Sequence, residues 1–386
     1  MATQYNPATL GAENSRQTQA AGKRYLIGPL ADFFCFGGSA LIILPLLLLF
    51  PAAKFEASLA ASMMLAANFI NHPHFAHSYQ IFYRGFMAKA FTPGLSTTMR
   101  IRYIFAGLVV PVMLLGFIAL CFIIGNVQLL GYAANAMALF VGWHYVKQGY
   151  GLLMVDCTLK RQFFSASEKK LLLINSYAVW IAAWTGANHA IAEKAMWGIQ
   201  YYAFPIPTPF AAVAMAGAIA AGAATAWMLF SRWRATGGLP VNGVVAYFVS
   251  LYPWLLVIWI NPLWLLVVPA LHSLQYLAVV WRFQVNYETA QLADPQYKAG
   301  SIDRKVFGAN PLGHLALFVI VGTILGFAGF WFLPIVLGQI IPHDQTVFGG
   351  TAFLFAAWIF INVHHYFIDN VMWRRENPDT KAYLFN

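Results

Sequence analysis

Apolar stretches recur along almost the whole chain, separated by short polar breaks. A hydrocarbon core of ~30 Å takes roughly 20 helical residues. Segments long and apolar enough for this lie near 30–50, 57–83, 103–124, 129–156, 171–187, 208–231, 241–260, 263–283, 314–340 and 347–373. The pattern predicts an all-α, polytopic transmembrane helical bundle of about ten spans. The narrowest break is Asn261 to Trp264, where Asn261 and Pro262 suit a tight turn between two spans. Pro73 removes one helical hydrogen bond and is expected to bend the second span. Residues 1–24 read as a polar tail, 25–374 as a single transmembrane domain and 375–386 as a second tail. The longest loop, roughly 284–313, has mixed charge and reads as a surface segment. No internal repeat is apparent, which disfavours inverted-repeat transporter architectures.

Composition sharpens this picture. The chain is 60% hydrophobic and 9% charged, whereas soluble domains carry about 25% charged residues. A net charge of +10 would suit nucleic acid, but the positions of the charges point elsewhere. If the N-terminus is cytoplasmic, all 23 Lys and Arg fall on the cytoplasmic side except Lys54 and Lys194, outside, and Lys147, within a span. That asymmetry is the positive-inside rule. The charge is therefore assigned to topology, with both termini cytoplasmic and no nucleic-acid partner expected. The chain reads as an integral membrane protein, of the inner or plasma membrane in a bacterium. Cys35, Cys121 and Cys157 share no CxxC spacing, so neither a disulfide framework nor a thiolate zinc site is indicated.

Polar groups inside apolar spans cost free energy unless they are bound or paired, and here they are concentrated. They occur in "NHPHFAHSYQ" from Asn71, "GWHYVKQGYG" from Gly142, "LHSLQYL" from Leu271 and "INVHHYFID" from Ile361. His72, His144, His272 and His364 precede Arg84, Asp156, Arg282 and Arg374 by 10–12 residues. At ~1.5 Å per residue this is a depth of about 15–18 Å, placing imidazoles from four helices in one slab. The candidate metal ligands are His72, His74, His77, His144, His272, His364 and His365. His74 and His77 are expected to share a helix face, with His72 roughly opposite. Asn362, His365 and Asp369 form one polar stripe, and Asp369, one turn after His365, either orients that imidazole or is a ligand itself. Asn71, Gln148, Asp156, Gln275 and Asn362 are candidate polar partners of the ligands. Asp369, Lys147 and Tyr276 are candidates for catalysis. His189 and His343, in predicted loops, and His314, at the start of a span, are left out of the set.

Imidazole-rich sites without thiolates suit iron, zinc or copper. The donor set exceeds what one structural ion needs, which favours a catalytic centre. Iron, mono- or dinuclear, is the expected cofactor, with zinc or haem as alternatives. The setting favours a lipophilic small-molecule substrate, and the basic cytoplasmic face would suit an electron-donor protein. The segments "HPHFAH" (from His72) and "HHYFID" (from His364) resemble those of His-rich integral membrane oxygenases. These are the membrane fatty-acid desaturase and hydroxylase superfamily and the Brp/Blh-type carotene dioxygenases. The resemblance implies metal-dependent hydroxylation, desaturation or oxidative cleavage of a lipophilic substrate. Two other readings stand beside it. A b-type haem protein would use two or four of the histidines. A proton-coupled transporter would relay through His144, Lys147, Asp156, His365 and Asp369.

Overall fold

The computed structural model describes residues 24–190, 193–196, 199–260, 263–293, 306–308 and 310–385. Most of the N-terminal tail, the Asn261–Pro262 turn and residues 294–305 of the long loop lie outside the described residues. Helices stand at each of the ten expected places: α1 (Pro29–Leu47), α2 (Ala52–Ala67) and α3 (Asn71–Tyr83), α4 (Thr97–Ile123), α5 (Val127–Lys160), α6 (Ala166–Ala190), α7 (Thr208–Thr236), α8 (Val241–Ile260), α9 (Trp264–Ala293), α10 (Pro311–Ile340) and α11 (Ala352–Met372). Among the described residues, six of these (α1, α4, α7, α9, α10 and α11) are long and apolar enough to cross a membrane. The only strands described, Glu193–Met196 and Ile199–Tyr202, form a short antiparallel hairpin after α6.

The apolar windows of α9 and α11 are 56% and 61% buried, while those of α4, α7 and α10 are 22%, 17% and 22% buried. The first two are therefore interior helices, and the other three present apolar side chains such as Ile123, Val213 and Phe332 outward. An outward apolar face of this kind is what lipid solvates. α11 packs against α3, α4 and α5, and α9 against α1, α3 and α8. The four helices that carry the histidine segments thus form the centre of the bundle.

The single span expected over 57–83 is instead two helices, α2 and α3. The chain turns at Asn68–Ile70, a few residues before Pro73. Asn68 stabilises the turn: its Nδ2–H groups donate to the Met64 and Leu65 carbonyls at 3.2 and 3.3 Å, and its Oδ1 accepts from Trp331 Nε1 at 3.0 Å. A proline leaves the carbonyl one turn back without its donor, so the helix register is free to change there. A second proline acts similarly in α4, where a π-helical turn, Phe105–Val109, precedes Pro111. The missing Pro111 N–H would have served Gly107 in α register or Ala106 in π register. Side chains replace it: Tyr83 Oη donates to the Gly107 carbonyl at 2.8 Å, and His364 Nε2 to the Ala106 carbonyl at 3.0 Å.

α10 meets α3 through Gly322 and Gly326, a G-x-x-x-G face that lets two helices approach closely. A Cβ at Gly322 would strike the His77 ring, and one at Gly326 would lie 2.8 Å from the His72 carbonyl carbon. The tail expected over 375–386 contains a docked helix, Pro378–Leu384. It packs on α9, where Asn286 Nδ2 donates to the Tyr383 carbonyl at 2.8 Å, and Asp379 pairs with Lys89 at 2.7 Å.

Gly326→Val should separate α3 from α10, because backbone cannot yield as a flexible side chain can. Overpacking of this kind costs about 1–3 kcal/mol, read as a lower thermal midpoint of the detergent-solubilised protein. Gly116→Val, on the exposed face of α4 with open space around it, should leave the midpoint unchanged. Equal midpoints for the two variants would contradict the close approach.

Candidate metal centre

Four imidazoles, one from each of α3, α5, α9 and α11, meet in the bundle core. They belong to His74, His144, His272 and His365. Ring centroids lie 4.5 Å apart for His74–His365, 4.9 Å for His144–His365, 5.0 Å for His144–His272, 5.5 Å for His74–His272 and 6.5 Å for His74–His144. All four side chains are buried. His74, His144 and His365 can each offer a ring nitrogen such that the three atoms lie within 4.8 Å of one another, a spacing that could hold a metal ion.

The hydrogen bonding around the rings indicates where their free nitrogens face. His74 Nδ1 lies 3.2 Å from Ser273 Oγ, whose own hydroxyl donates to Asn71 Oδ1 at 2.8 Å. Ser273 therefore accepts from His74 Nδ1–H, which leaves the Nε2 lone pair facing inward, as a ligand requires. That Nε2 has no hydrogen-bond partner, and neither have His144 Nε2, both nitrogens of His272 or both nitrogens of His365. Aromatic plates fix the rings laterally. Tyr145 stacks on His272 at 3.6 Å and 9°, Tyr366 on His144 at 4.7 Å, and Tyr276 meets His74 edge-on at 4.5 Å.

Asp369 closes one side of the cluster. Its Oδ1 accepts from Tyr276 Oη at 3.0 Å, and Tyr276 in turn touches Ser78 Oγ and accepts from Trp373 Nε1 at 3.2 Å. Its Oδ2 has no hydrogen-bond partner and lies 3.4 Å from His365 Nε2 and 3.9 Å from His144 Nε2.

The other candidates from the sequence are placed elsewhere. His74 and His77 do not share a face: His77 turns to α10, stacking on Phe318 at 4.4 Å with its Nδ1 2.8 Å from Gln80 Oε1. His72 also faces α10 and stacks on Phe330 at 4.2 Å. His364, about 100° around α11 from His365, accepts from Tyr79 Oη at Nδ1, 2.9 Å away, while its Nε2 serves the π-helical turn of α4. Asp156 sits apart, accepting from Lys160 Nζ at 2.9 Å and the Gly243 amide at 2.8 Å. It anchors the start of α8 to α5. Lys147 is half-buried and makes no hydrogen bond or ion pair among the described residues.

Four polar partners do border the cluster. Asn71 acts through Ser273, and Asn362 Oδ1 accepts from Tyr366 Oη at 2.8 Å, fixing the plate beneath His144. Gln148 Nε2 donates to the His272 carbonyl and to Gln275 Oε1 at 3.0 and 3.1 Å, and Gln275 Nε2 ties this pair to the Phe36 carbonyl at 2.7 Å. His189 stands exposed in the last turn of α6 rather than in a loop. Sequence reasoning passed over Ser273, Ser78, Tyr145 and Trp373. The first three lie within a turn of a candidate histidine, which is the signal that would have found them.

A separate cavity of about 270 Å³ opens among Leu139, Phe140, Trp143, Trp180 and Phe367. These residues lie on α5, α6 and α11, and Phe140 is one turn before His144.

Compared with protein-family models, curated proteins and solved structures, the chain matches none. Any functional reading therefore rests on the geometry of the site.

His364→Ala should destabilise the fold, since it strips partners from Tyr79 and from the Ala106 carbonyl. Leaving such atoms unsatisfied costs about 1–3 kcal/mol each, which a thermal melt would register. His189→Ala, on an exposed side chain, should stay within about 0.5 kcal/mol of the parent. A His364→Ala midpoint equal to that of the parent would show that the staple across the π-helical turn contributes nothing.

Proposed function

We propose that the chain is an integral membrane protein of about ten spans with both termini cytoplasmic. It binds one iron ion at His74, His144 and His365, with His272 beside them, and oxidises a lipophilic small molecule. The observation that carries this reading is the convergence of unpartnered ring nitrogens from four helices beside a carboxylate, deep in an apolar bundle. Donors so placed cost free energy unless they bind something. Imidazole and carboxylate together, without thiolate, suit iron or zinc.

Bound there, iron would supply the activation of dioxygen that hydroxylation, desaturation or oxidative cleavage of unreactive carbon requires. The residues of the chain hold and shield the site. Ser273 keeps the His74 proton on Nδ1, so that Nε2 faces inward. Tyr145 and Tyr366 hold His272 and His144 in plane. Tyr276 holds a proton at Asp369 Oδ1. The surrounding aromatic rings exclude water. The cavity beside Phe140 and Phe367, in the middle of its helices, offers an apolar molecule a sideways approach from the bilayer. The basic loops 84–102 and 160–170 would receive an acidic electron-donor protein where the reaction needs one.

Two observations favour this reading over its competitors. Ligation of a haem by two histidines needs a flat open slot, wide enough for the macrocycle, around the line that joins the two ligating nitrogens. Here the rings lie within 4.5–6.5 Å of each other, mostly edge to face, and tyrosines close the sides. A proton relay needs its members in series, yet Lys147 and Asp156 stand apart from the cluster.

Elemental analysis of the purified chain should find one iron per molecule. His74→Ala, His144→Ala and His365→Ala should each lose it, and His72→Ala and His77→Ala should keep it. A metal content unaffected by the first three substitutions would remove the reading. Once a substrate is found, His144→Ala, His272→Ala and His365→Ala should abolish turnover, whereas His343→Ala should not. For topology, a fluorescent protein that matures only in the cytoplasm should glow when fused to the C-terminus. A dark fusion, with an active alkaline phosphatase fusion at the same place, would reverse the orientation.

A further inference from the structure

We propose that Asp369 is itself a ligand of the ion, which makes the site a mixed imidazole–carboxylate centre rather than an all-histidine one. This rests on the metal reading above and adds to it the identity of a ligand.

Three observations carry it. The first is distance. Atoms that share an ion at ~2.0–2.2 Å lie about 3–4 Å from one another. Asp369 Oδ2 is 3.4 Å from His365 Nε2 and 3.9 Å from His144 Nε2. The second is direction. An aspartate that merely oriented His365 would accept a hydrogen bond from it, but none forms, and all three atoms lack a hydrogen-bond partner. The third is charge. The Asp369 side chain is 4% exposed and has no Lys or Arg ion pair among the described residues. A buried carboxylate that stays ionised needs a cation or a metal near it, and His365 and His144 are the ring nitrogens beside Oδ2. Tyr276 is a positioning residue in this arrangement: by holding Oδ1 at 3.0 Å it turns Oδ2 toward the histidines.

The test uses cobalt(II) as the probe, titrated into the purified full-length chain in detergent after a chelator has stripped its bound metal, with the visible absorption bands and the dissociation constant as readouts. The wild type should take up one cobalt(II). Asp369→Asn should change the band pattern and weaken binding by more than about 100-fold, beyond the ~10–100-fold typical for losing a group that only orients a ligand. Tyr276→Phe should keep the band pattern and fall within that ~10–100-fold range. Wild-type bands in Asp369→Asn would overturn the assignment of Asp369 and leave the histidine site standing. If Asp369→Asn does not fold, as judged by gel filtration, Asp369→Glu decides. Its longer arm displaces the ligand oxygen, so altered bands support the proposal and unaltered bands overturn it. A wild type that takes up no cobalt(II) would instead remove the metal reading itself.

Discussion

A carboxylate and four imidazoles sit buried together with no Lys or Arg paired to them among the described residues, and four helices of the bundle converge on them. Each unpartnered buried polar atom costs roughly 1–3 kcal/mol, and six ring nitrogens plus Asp369 Oδ2 are in that position. Brought together, one nitrogen of each ring and the carboxylate oxygen could be satisfied by a single cation. The convergence of α3, α5, α9 and α11 is thus the feature on which the proposed chemistry depends.

The supporting structure is built from departures from regular helix. Prolines in the spans remove backbone donors, and polar side chains take up the carbonyls so released. At Pro111 and the π-helical turn before it, the Ala106 and Gly107 carbonyls accept instead from His364 and Tyr83. The break at Asn68–Ile70 starts α3 anew just before its histidines, so the direction of His74 does not depend on the course of α2. Gly322 and Gly326 allow α10 to lie directly on α3. His72 and His77 belong to that contact, which gives them a packing role outside the cluster.

Adjacent histidines on one helix consequently do different work. His365 points into the cluster, and His364, about 100° away, ties α11 to α3 and α4. His74 likewise points inward, while His77 stacks on Phe318 of α10. A helix surrounded on all sides can use every face for a polar contact, provided each contact is satisfied. Among the described residues, His272 and His365 have both ring nitrogens buried without a hydrogen-bond partner.

The sequence by itself determined the class of fold, the places of the helices and the four segments that carry the histidine cluster. Hydropathy and the cost of intramembrane polar groups act locally, residue by residue, and so can be read from a one-dimensional pattern. Depth along each helix was legible for the same reason, because the rise per residue is fixed. Direction around each helix was not. The break at Asn68–Ile70 and the π-helical turn before Pro111 change the register locally, and a shift of one residue turns a side chain by about 100°. Only the tertiary structure therefore separated His74, His144, His272 and His365 from His72, His77 and His364. It also moved Lys147 and Asp156 away from the cluster and brought in Ser273 and Tyr145. Those assignments depend on which neighbour each face meets, and neighbours far apart in sequence become adjacent only when the helices pack.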